Sequence, residues 1–294
     1  MDYKAIDANI KPLFQKLEET GILLDEEKLS SIIREFQKKL VEWKQEINRE
    51  VGFTVNIYSD DHLTRVIGGE QASNFLLSRI VEARKISSLI RKIQQVYDLA
   101  NGNFQALHRL FGLYPKYGLG MNGQIITASE LALSDLPAEI LGVVSRQGMV
   151  LIKATYSGIL GKVAKKLSND SGVDIESFVW SLAKSQNIAS SFFGRTAIVP
   201  ETQLERSRFV VKFPIQSTAM DIAKLGFIGL FEDYRIGKLD SQIFAIAPYS
   251  AYLFAPNEHA DLISSVCQEC LESAHTDFAL SVNITTGSSL DRLA

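Results

Sequence analysis

The chain has 294 residues, with 31 Lys and Arg against 34 Asp and Glu, so its formal charge is −3. This balance excludes a histone-like protein or a basic tail, whose affinity for nucleic acid comes from bulk positive charge. With 46% hydrophobic and 22% charged residues, the composition is that of an ordinary globular protein. Its length suits two domains, or one domain with a protruding subdomain.

Neither a membrane helix nor a secretion signal is apparent in the sequence. There is no uninterrupted apolar run of the roughly 18 to 20 residues that a membrane span needs. The first residues also lack the basic and apolar regions of a secretion signal. We therefore expect a cytoplasmic protein with no membrane partner.

The first third of the sequence has the period of α-helices. From Leu29 to Val51, apolar residues recur every three or four positions, and Asp25 stands where an N-cap acceptor belongs. A second long helix is predicted over Asn74 to Leu99. Its polar side carries the densest group of cations in the sequence, namely Arg79, Arg84, Lys85, Arg91 and Lys92. Such a face is either a solvated helix surface or a binding surface for an anionic partner.

From about Phe104 onward the pattern changes to mixed helix and strand. An apolar strand, GMVLIKATYS, runs directly into a helix. Strand ends of this kind suit functional groups because they are rigid and open to solvent. Further on, IFAIA and AYLFA predict two strands joined by a tight turn at Pro248, Tyr249 and Ser250. A helix over residues 257–274 and a final strand, ALSVNITTG, follow.

The two cysteines, Cys267 and Cys270, form a single CxxC in the amphipathic segment DLISSVCQECLESA, with His259 and His275 on either side. A structural zinc site usually takes two ligand pairs from separate turns, whereas one pair within a helix more often fills the core. We therefore expect no metal site. The four histidines show no Ser/His/Asp or Cys/His spacing that indicates a hydrolytic triad.

Five segments, in order, resemble the polymerase region of family A DNA polymerases, the bacterial and phage DNA polymerase I type. IDANIKPLFQKLEETGILLDEEKL is similar to the segment leading into the thumb, and GFTVNIYSDDHLTRVI to a stretch of the thumb itself. MVLIKATYSGILGKVAKKLSND resembles motif A, and SRFVVKFPIQSTAMDIAKLGFIGL resembles the helix with the pattern Asn-x-Pro-Ile-Gln-Gly-x-Ala-Ala-Asp. Residues 243–256 occupy the place of motif C. The resemblance implies an α+β fold, with an antiparallel sheet in a palm and a helical thumb.

The same resemblance implies a domain organisation. Residues 1–105 correspond to an N-terminal helical segment and thumb, and residues 106–294 to the palm. Only about twenty residues separate Asp174 from Gly194, where the family inserts its fingers. The fingers subdomain is therefore expected to be largely deleted, with a remnant around residues 176–196. The sequence also lacks the Arg-x-x-x-Lys-x-x-x-Phe-Gly pattern that grips the incoming triphosphate.

The chemistry of the family depends on two Mg²⁺ ions held by carboxylates of motifs A and C. Aligning Tyr156 and Ser157 with the Asp-Tyr-Ser of motif A places Thr155 at the metal-binding aspartate. The glutamate of the same motif falls on Leu160. A hydroxyl and an alkyl group cannot replace these charges.

Motif C shows the same loss. Counting back from Pro256 places Pro248, Tyr249 and Ser250 at the His-Asp-Glu of the family. Both metal-anchoring positions are then uncharged. We therefore predict a catalytically inactive, polymerase-like protein that uses no cofactor.

Two functions without chemistry stay open. The first is binding of nucleic acid, above all primer-template or duplex DNA. On the palm its candidate contacts, besides the five thumb cations, are Lys162, Lys166, Arg208, Lys212 and Gln216. The second is a protein-interaction subunit that partners an active polymerase or another replication or phage protein without binding DNA itself. For that role the candidates are Tyr249, Tyr252 and Phe254.

We predict no templated incorporation by this chain. Incubation with primer-template DNA, the four deoxynucleoside triphosphates and Mg²⁺ should leave the primer at its original length on a denaturing gel, because the aligned metal-binding positions carry no carboxylate. A relocated site, built for example from Asp170 and Asp174, would instead extend the primer. An active family A polymerase assayed in parallel controls for the substrates.

Overall fold

A computed structural model describes residues 2–67, 74–107, 109–120, 122–127, 136–174, 177 and 188–293. The described residues form both helices and strands, which confirms the predicted α+β class.

The helices are α1 (Tyr3–Asn9), α2 (Lys11–Thr20), α3 (Glu26–Val51), α4 (Asp60–Ile67), α5 (Asn74–Leu107), α6 (Ile159–Ser171), α7 (Gln203–Glu232), α8 (Tyr234–Lys238) and α9 (Ala260–Glu272). The strands are β1 (Ile22–Leu23), β2 (Gly112–Leu113), β3 (Tyr117–Leu119), β4 (Ile125–Thr127), β5 (Met149–Tyr156), β6 (Ile188–Ser190), β7 (Thr196–Ile198), β8 (Gln242–Ala247), β9 (Ser250–Pro256) and β10 (Val282–Gly287).

The chain packs as two compact units. We call Met1–Ile22, Tyr114–Asp135 and Ser145–Ala294 the sheet unit, and Leu23–Leu113 with Leu136–Val144 the helical unit. The N-terminal helical segment expected from the sequence, up to Ile22, thus packs with the sheet, and the helical unit begins at Leu23. The reason is the apolar face of this segment, which is buried in the core of the sheet unit through side chains that include Ile6, Ile10 and Leu13.

In the helical unit the predicted long helices are present. The Asp25 carboxylate accepts a hydrogen bond from the backbone N–H of Lys28 at 3.0 Å and so caps α3. Gly52 ends this helix at φ +81°, in the left-handed region that glycine adopts freely. Helices α3, α4 and α5 share an apolar core that includes Ile47, Leu63 and Ile80. Helix α5 continues beyond the predicted end near Leu99.

The sheet unit is built on a four-stranded antiparallel sheet with the order β10-β5-β9-β8. The two predicted neighbouring strands, β8 and β9, form a hairpin in which Ala247 pairs with Ser250. Because side chains alternate along a strand, Ile152 and Ala154 of β5 point to one face and belong to the main core. Helices α7 and α9 contribute to the same core.

Helix α7 is the longest element of the sheet unit and most of its C-terminal half is buried. It contains Pro214 in its interior, where a proline removes one helical hydrogen bond. Gly226 lets the backbone of α7 approach β5 and α9 closely. A Cβ atom at Gly226 would lie 2.0 Å from the Tyr156 hydroxyl and 2.8 Å from a Leu271 methyl group. The Tyr156 hydroxyl in turn donates a hydrogen bond to the Leu271 carbonyl at 2.9 Å.

Part of the expected fingers remnant lies in the described residues. Residues 188–196 form β6, a turn and the start of β7, and the two strands pair as an antiparallel hairpin. Residues 176 and 178–187 of the region lie outside the described residues. Within the ranges that the structure covers, no helix has both the length and the apolar character to cross a membrane.

We expect Gly226→Ala to destabilise the protein by about 1–3 kcal/mol, because the added methyl group overpacks a well-filled core. Gly229→Ala on the same helix is the matched control, since its Cβ would meet nothing within 4 Å. That control should be neutral or stabilise by up to about 1 kcal/mol through helix propensity. Urea denaturation followed by circular dichroism measures both. Equal effects of the two variants would contradict the close packing at Gly226.

Candidate nucleic-acid interface

One end of the sheet brings together residues that are far apart in the sequence. Thr155, near the end of β5, pairs with Ser250 at the start of β9 and with Asn283 of β10. The Thr155 and Ser250 hydroxyl oxygens are 2.9 Å apart and share a hydrogen bond. The backbone N–H of Tyr156 donates to the Tyr249 carbonyl at 3.0 Å. The structure therefore brings three of the sequence-aligned positions, Thr155, Tyr249 and Ser250, to one place, which we call the sheet tip.

The remaining aligned positions lie at its margin. Pro248 is exposed in the β8–β9 turn, and Leu160 is exposed in the first turn of α6. Two of the candidate aromatic residues, Tyr249 and Tyr252, are partly buried, whereas Phe254 is fully buried. Burial alone makes Phe254 a core residue, so it offers no surface to a partner.

The side chains at the sheet tip do not fit a magnesium site. Mg²⁺ binds through carboxylate oxygens and retained waters, whereas Thr155, Ser250 and Asn283 offer only uncharged groups. Burial raises the pKa of Tyr249. It also raises the pKa of Tyr252, although a hydrogen bond with Ser250 partly offsets the shift. Both phenols are therefore neutral at physiological pH. No group of three or more His, Cys, Asp or Glu side chains that could hold a metal occurs among the described residues.

The two cysteines of the CxxC lie on α9, the helix predicted for this segment. Cys267 is fully buried and Cys270 partly so. Burial raises the pKa of the Cys267 thiol to about 12 and that of Cys270 to about 11. Both sulfurs are therefore protonated at neutral pH, which suits core packing better than metal or redox chemistry.

A pocket of about 230 Å³ opens beside the sheet tip. Its walls come from the β3–β4 turn, α7 and the β8–β9 turn. The described lining residues are Asn122, Gln124, Ile125, Gln216, Met220, Pro248 and Tyr249. These walls offer amide and phenol hydrogen-bonding groups but no charge. Such a surface suits a neutral, planar group better than a phosphate or a metal.

A polar stripe on α7 leads to this pocket. Arg208, Lys212 and Gln216 are spaced four residues apart, so they follow one another along the same face of the helix. All three are exposed. Neither Arg208 nor Lys212 has an ion-pair partner among the residues that the structure describes. We call this row the α7 stripe, and it brings two available cations and an amide into line with the pocket.

The candidate lysines of α6 are less available. The Lys162 ammonium donates to the Ser281 hydroxyl at 2.5 Å, and Lys166 forms an ion pair with Asp170 at 2.5 Å. Any phosphate contact by these lysines has to compete with those partners. Lys165, between them, is exposed and has no ion pair within the described chain.

The candidate cations of the helical unit also differ in how available they are for contact with a phosphate, and Arg79 is the least available. The Arg79 guanidinium lies 5.3 Å from the Trp43 ring centre and 5.2 Å from that of Phe75. It also pairs with Glu46 at 3.1 Å and Glu82 at 3.0 Å, so its charge is already neutralised.

Four cations of α5 lie nearer to solvent. Arg84 pairs with Asp60 at 2.8 Å. Lys85, Arg91 and Lys92 are exposed and form no ion pair with any described residue. The free positive charge on α5 is therefore concentrated in these last three side chains.

Behind the pocket lies a cluster of four charged residues that the sequence did not indicate. Arg195 donates to Asp7 at 2.8 Å and to Asp221 at 2.9 Å. Lys224 lies 2.5 Å from Asp7 and 2.6 Å from Asp221. Asp221 and Lys224 have no exposed side-chain surface, and Arg195 is almost as buried. We call these four residues the buried ion cluster.

The buried ion cluster supports the pocket wall. A Cβ atom at Gly123 would come within 2.5 Å of the Arg195 guanidinium, so the β3–β4 turn rests directly on it. Burial raises the pKa of Asp7, but hydrogen bonds from Arg195 and Lys224 outweigh it, so that pKa lies below its usual value. The stabilisation from Asp7 is therefore present at neutral pH and is lost only as the pH falls below about 4.

Comparisons with known proteins concern the fold. No protein-family model and no curated protein matches the chain. Among solved structures, it is similar to the "POL domain of Pol1 from M. smegmatis complex with DNA primer-template and dNTP". The TM-score is 0.70 and the sequence identity 16%, over 97% of this chain and 70% of that one. The chain has a polymerase-like fold. At this identity the similarity shows the fold alone.

We expect Lys224→Met to destabilise the protein by about 3–5 kcal/mol, because it leaves the Asp221 carboxylate buried beside a single cation. Lys166→Met is the matched control, since Lys166 pairs with Asp170 near the surface. Its loss should cost no more than about 0.5 kcal/mol. Denaturant titrations of both variants measure the difference. A Lys224→Met protein as stable as the control would refute a supporting role for the cluster.

Proposed function

We propose that this protein binds nucleic acid through a polymerase-like fold and does not transfer nucleotides. Its ligand is primer-template or duplex DNA, and it acts as a binding or accessory factor in replication. The fold similarity supports the proposal, since the matched POL domain is described in complex with a DNA primer-template. Two further properties of the sheet unit support it independently.

The α7 stripe is the main observation in support of nucleic-acid binding. Arg208 and Lys212 are exposed and have no competing ion pair among the described residues, and Gln216 continues the row into the pocket. Cations in a row along a helix contact successive phosphates, whereas an uncharged pocket contacts base or sugar groups. The order of charge and neutral groups along α7 therefore matches the backbone and base edges of a DNA strand.

The side chains at the sheet tip support the proposal that the protein does not transfer nucleotides. Two-metal phosphoryl transfer needs anionic oxygen ligands for both ions, and Thr155, Tyr249 and Ser250 have none. The Thr155 and Ser250 hydroxyls instead satisfy each other. Binding in our proposal is therefore independent of divalent metal.

A protein partner is the second candidate, and the β6–β7 hairpin favours it. Ile188 and Ile198 are cross-strand partners in this hairpin. They are 52% and 83% exposed, respectively. An exposed pair of large apolar side chains is a common feature of protein interfaces. In this alternative the protein partners an active polymerase or another replication protein and has no affinity for DNA of its own.

We predict that a labelled primer-template duplex binds the full chain in fluorescence anisotropy, and that EDTA does not change the affinity. The Arg208→Gln/Lys212→Gln variant should bind about a hundredfold more weakly at low salt, since each charged contact contributes roughly 1.5 kcal/mol. The slope of log affinity against log salt should fall by about 2, because two phosphate contacts are removed.

Lys238→Gln is the matched control, because Lys238 is an exposed cation of the same unit on a different helix. It should bind like the unaltered chain. If duplex affinity is absent even at low salt, the nucleic-acid proposal is wrong and the protein-partner candidate takes its place.

A further inference from the structure

The helical unit contains a pocket of about 700 Å³ that is separate from the α7 stripe. Its described lining residues are Tyr58, Arg84, Ser87 and Arg91. Arg84, Ser87 and Arg91 lie three and four residues apart, on one face of α5. Tyr58 comes from the turn that precedes α4. This volume is within the range of sites for organic ligands of nucleotide size or larger.

Tyr58 is held rigidly at the pocket wall. Its backbone N–H donates to the Asn56 side-chain oxygen at 3.0 Å, which fixes the turn. Its hydroxyl and that of Ser87 share a hydrogen bond at 2.6 Å. Half of the tyrosine is nevertheless exposed. An aromatic ring that is fixed at its backbone and hydroxyl, yet open to solvent, is prepared for stacking without a further loss of side-chain entropy.

The charges around the ring are mainly positive. The Lys44 ammonium lies over one face of the Tyr58 ring, 5.0 Å from its centre, so a base has to stack on the opposite face. The Arg84 guanidinium is fixed by donation to the Ile57 carbonyl at 2.6 Å and to Asp60 at 2.8 Å. Arg91 is exposed and has no ion pair with a described residue. Arg91 therefore supplies the available charge, whereas the negative charge of Asp60 opposes an anion at this site.

The two guanidinium groups and the tyrosine ring of this pocket favour some classes of ligand over others. Two guanidinium groups repel a divalent cation and attract a phosphate. Tyr58 is the single aromatic residue in the described lining of this pocket. One ring is too small an apolar surface for a protein interface, but it matches one nucleobase. In a duplex, bases are paired and stacked inside, so a ring at a pocket wall can reach only an unpaired base.

We propose that the Tyr58 pocket binds one nucleotide unit of a single strand, with the base stacked on Tyr58 and its phosphate on Arg91 and Arg84. The inference rests on the proposed nucleic-acid function and adds a second, single-strand site to it. A free nucleotide has the same base and phosphate, so both sources of this chemistry have to be compared.

The test measures anisotropy of a labelled twelve-residue oligothymidylate on the full chain, with the primer-template duplex measured in parallel. Tyr58→Ala should weaken oligothymidylate binding about tenfold, the typical loss for one stacked base. Tyr58→Phe keeps the ring and should retain most of the affinity. Arg91→Gln should weaken binding and lower the salt slope by about 0.7. Asp60→Asn should strengthen binding.

Lys38→Gln is the control for charge, because Lys38 is an exposed cation of α3 outside the pocket. Equal oligothymidylate affinities for Tyr58→Ala and the unaltered chain would overturn the proposal, provided that circular dichroism shows both folded. Competition by thymidine monophosphate as strong as that of the oligomer would also overturn it, in favour of a free-nucleotide site.

The two proposals fail in different ways. If the Tyr58 pocket is wrong, the Arg208→Gln/Lys212→Gln variant still loses duplex affinity while Tyr58→Ala changes nothing. If the nucleic-acid function itself is wrong, neither duplex nor oligothymidylate binds at low salt.

Discussion

The sheet unit depends on the buried ion cluster formed by Asp7, Arg195, Asp221 and Lys224. Each of these charges alone would cost several kcal/mol to bury, so they are tolerated only as a mutually neutralising set. Pairing these four charges requires α1, the turn before β7 and α7 to meet at one point. The pairing is incomplete, since Arg195 Nε and Asp221 Oδ2 are buried without a hydrogen-bond partner. The Arg195 guanidinium also lies 4.5 Å from the centre of the Tyr3 ring, which ties the chain start to the same point. The cluster thus specifies an arrangement that apolar packing alone would leave less defined.

Charge in this unit is separated from the sheet tip. The cluster is internal, and the cations of the α7 stripe are exposed, while Thr155, Ser250 and Tyr249 are uncharged. A metal-dependent site has the opposite pattern, with its strongest charges at the strand ends. At the sheet tip the Thr155 and Ser250 hydroxyls form a hydrogen bond with each other. This pattern supports our proposal that the α7 stripe binds the phosphates of a strand and that no phosphoryl transfer takes place at the sheet tip.

Periodicity and capping were sufficient for the elements that depend on local sequence. Asp25 caps α3 as predicted, and the β8–β9 hairpin forms where two apolar runs flank a short turn. The resemblance placed Thr155 and Ser250 in motifs A and C, but their pairing across β5 and β9 is known only from the structure. Contacts between segments that are distant in the sequence could not be predicted from these local patterns.

The buried ion cluster and the Tyr58 pocket are both of that kind. Asp221 and Lys224 left one signal, a charged pair three residues apart within an apolar stretch, but their partner Asp7 is more than 200 residues away. Tyr58 gave no signal at all, because its importance comes from Ser87 and Arg91 on another helix. In both sites the contacting residues are far apart in the sequence, so their proximity is seen only in the folded chain.

Pro214 has a mechanical consequence for α7. A helix of 30 residues is about 45 Å long and behaves as a stiff rod. The proline cannot donate the backbone hydrogen bond that residue 214 would make to the Val210 carbonyl, so the helix is weakened between Val210 and Pro214. Towards the C-terminus the rod is clamped by Asp221 and Lys224; towards the N-terminus it carries the cations. The cationic arm is held as well, because Val210 and Phe213 are buried in a small core with Ala189 and Val199. Arg208 and Lys212 therefore lie on a segment whose opposite face is fixed by apolar packing.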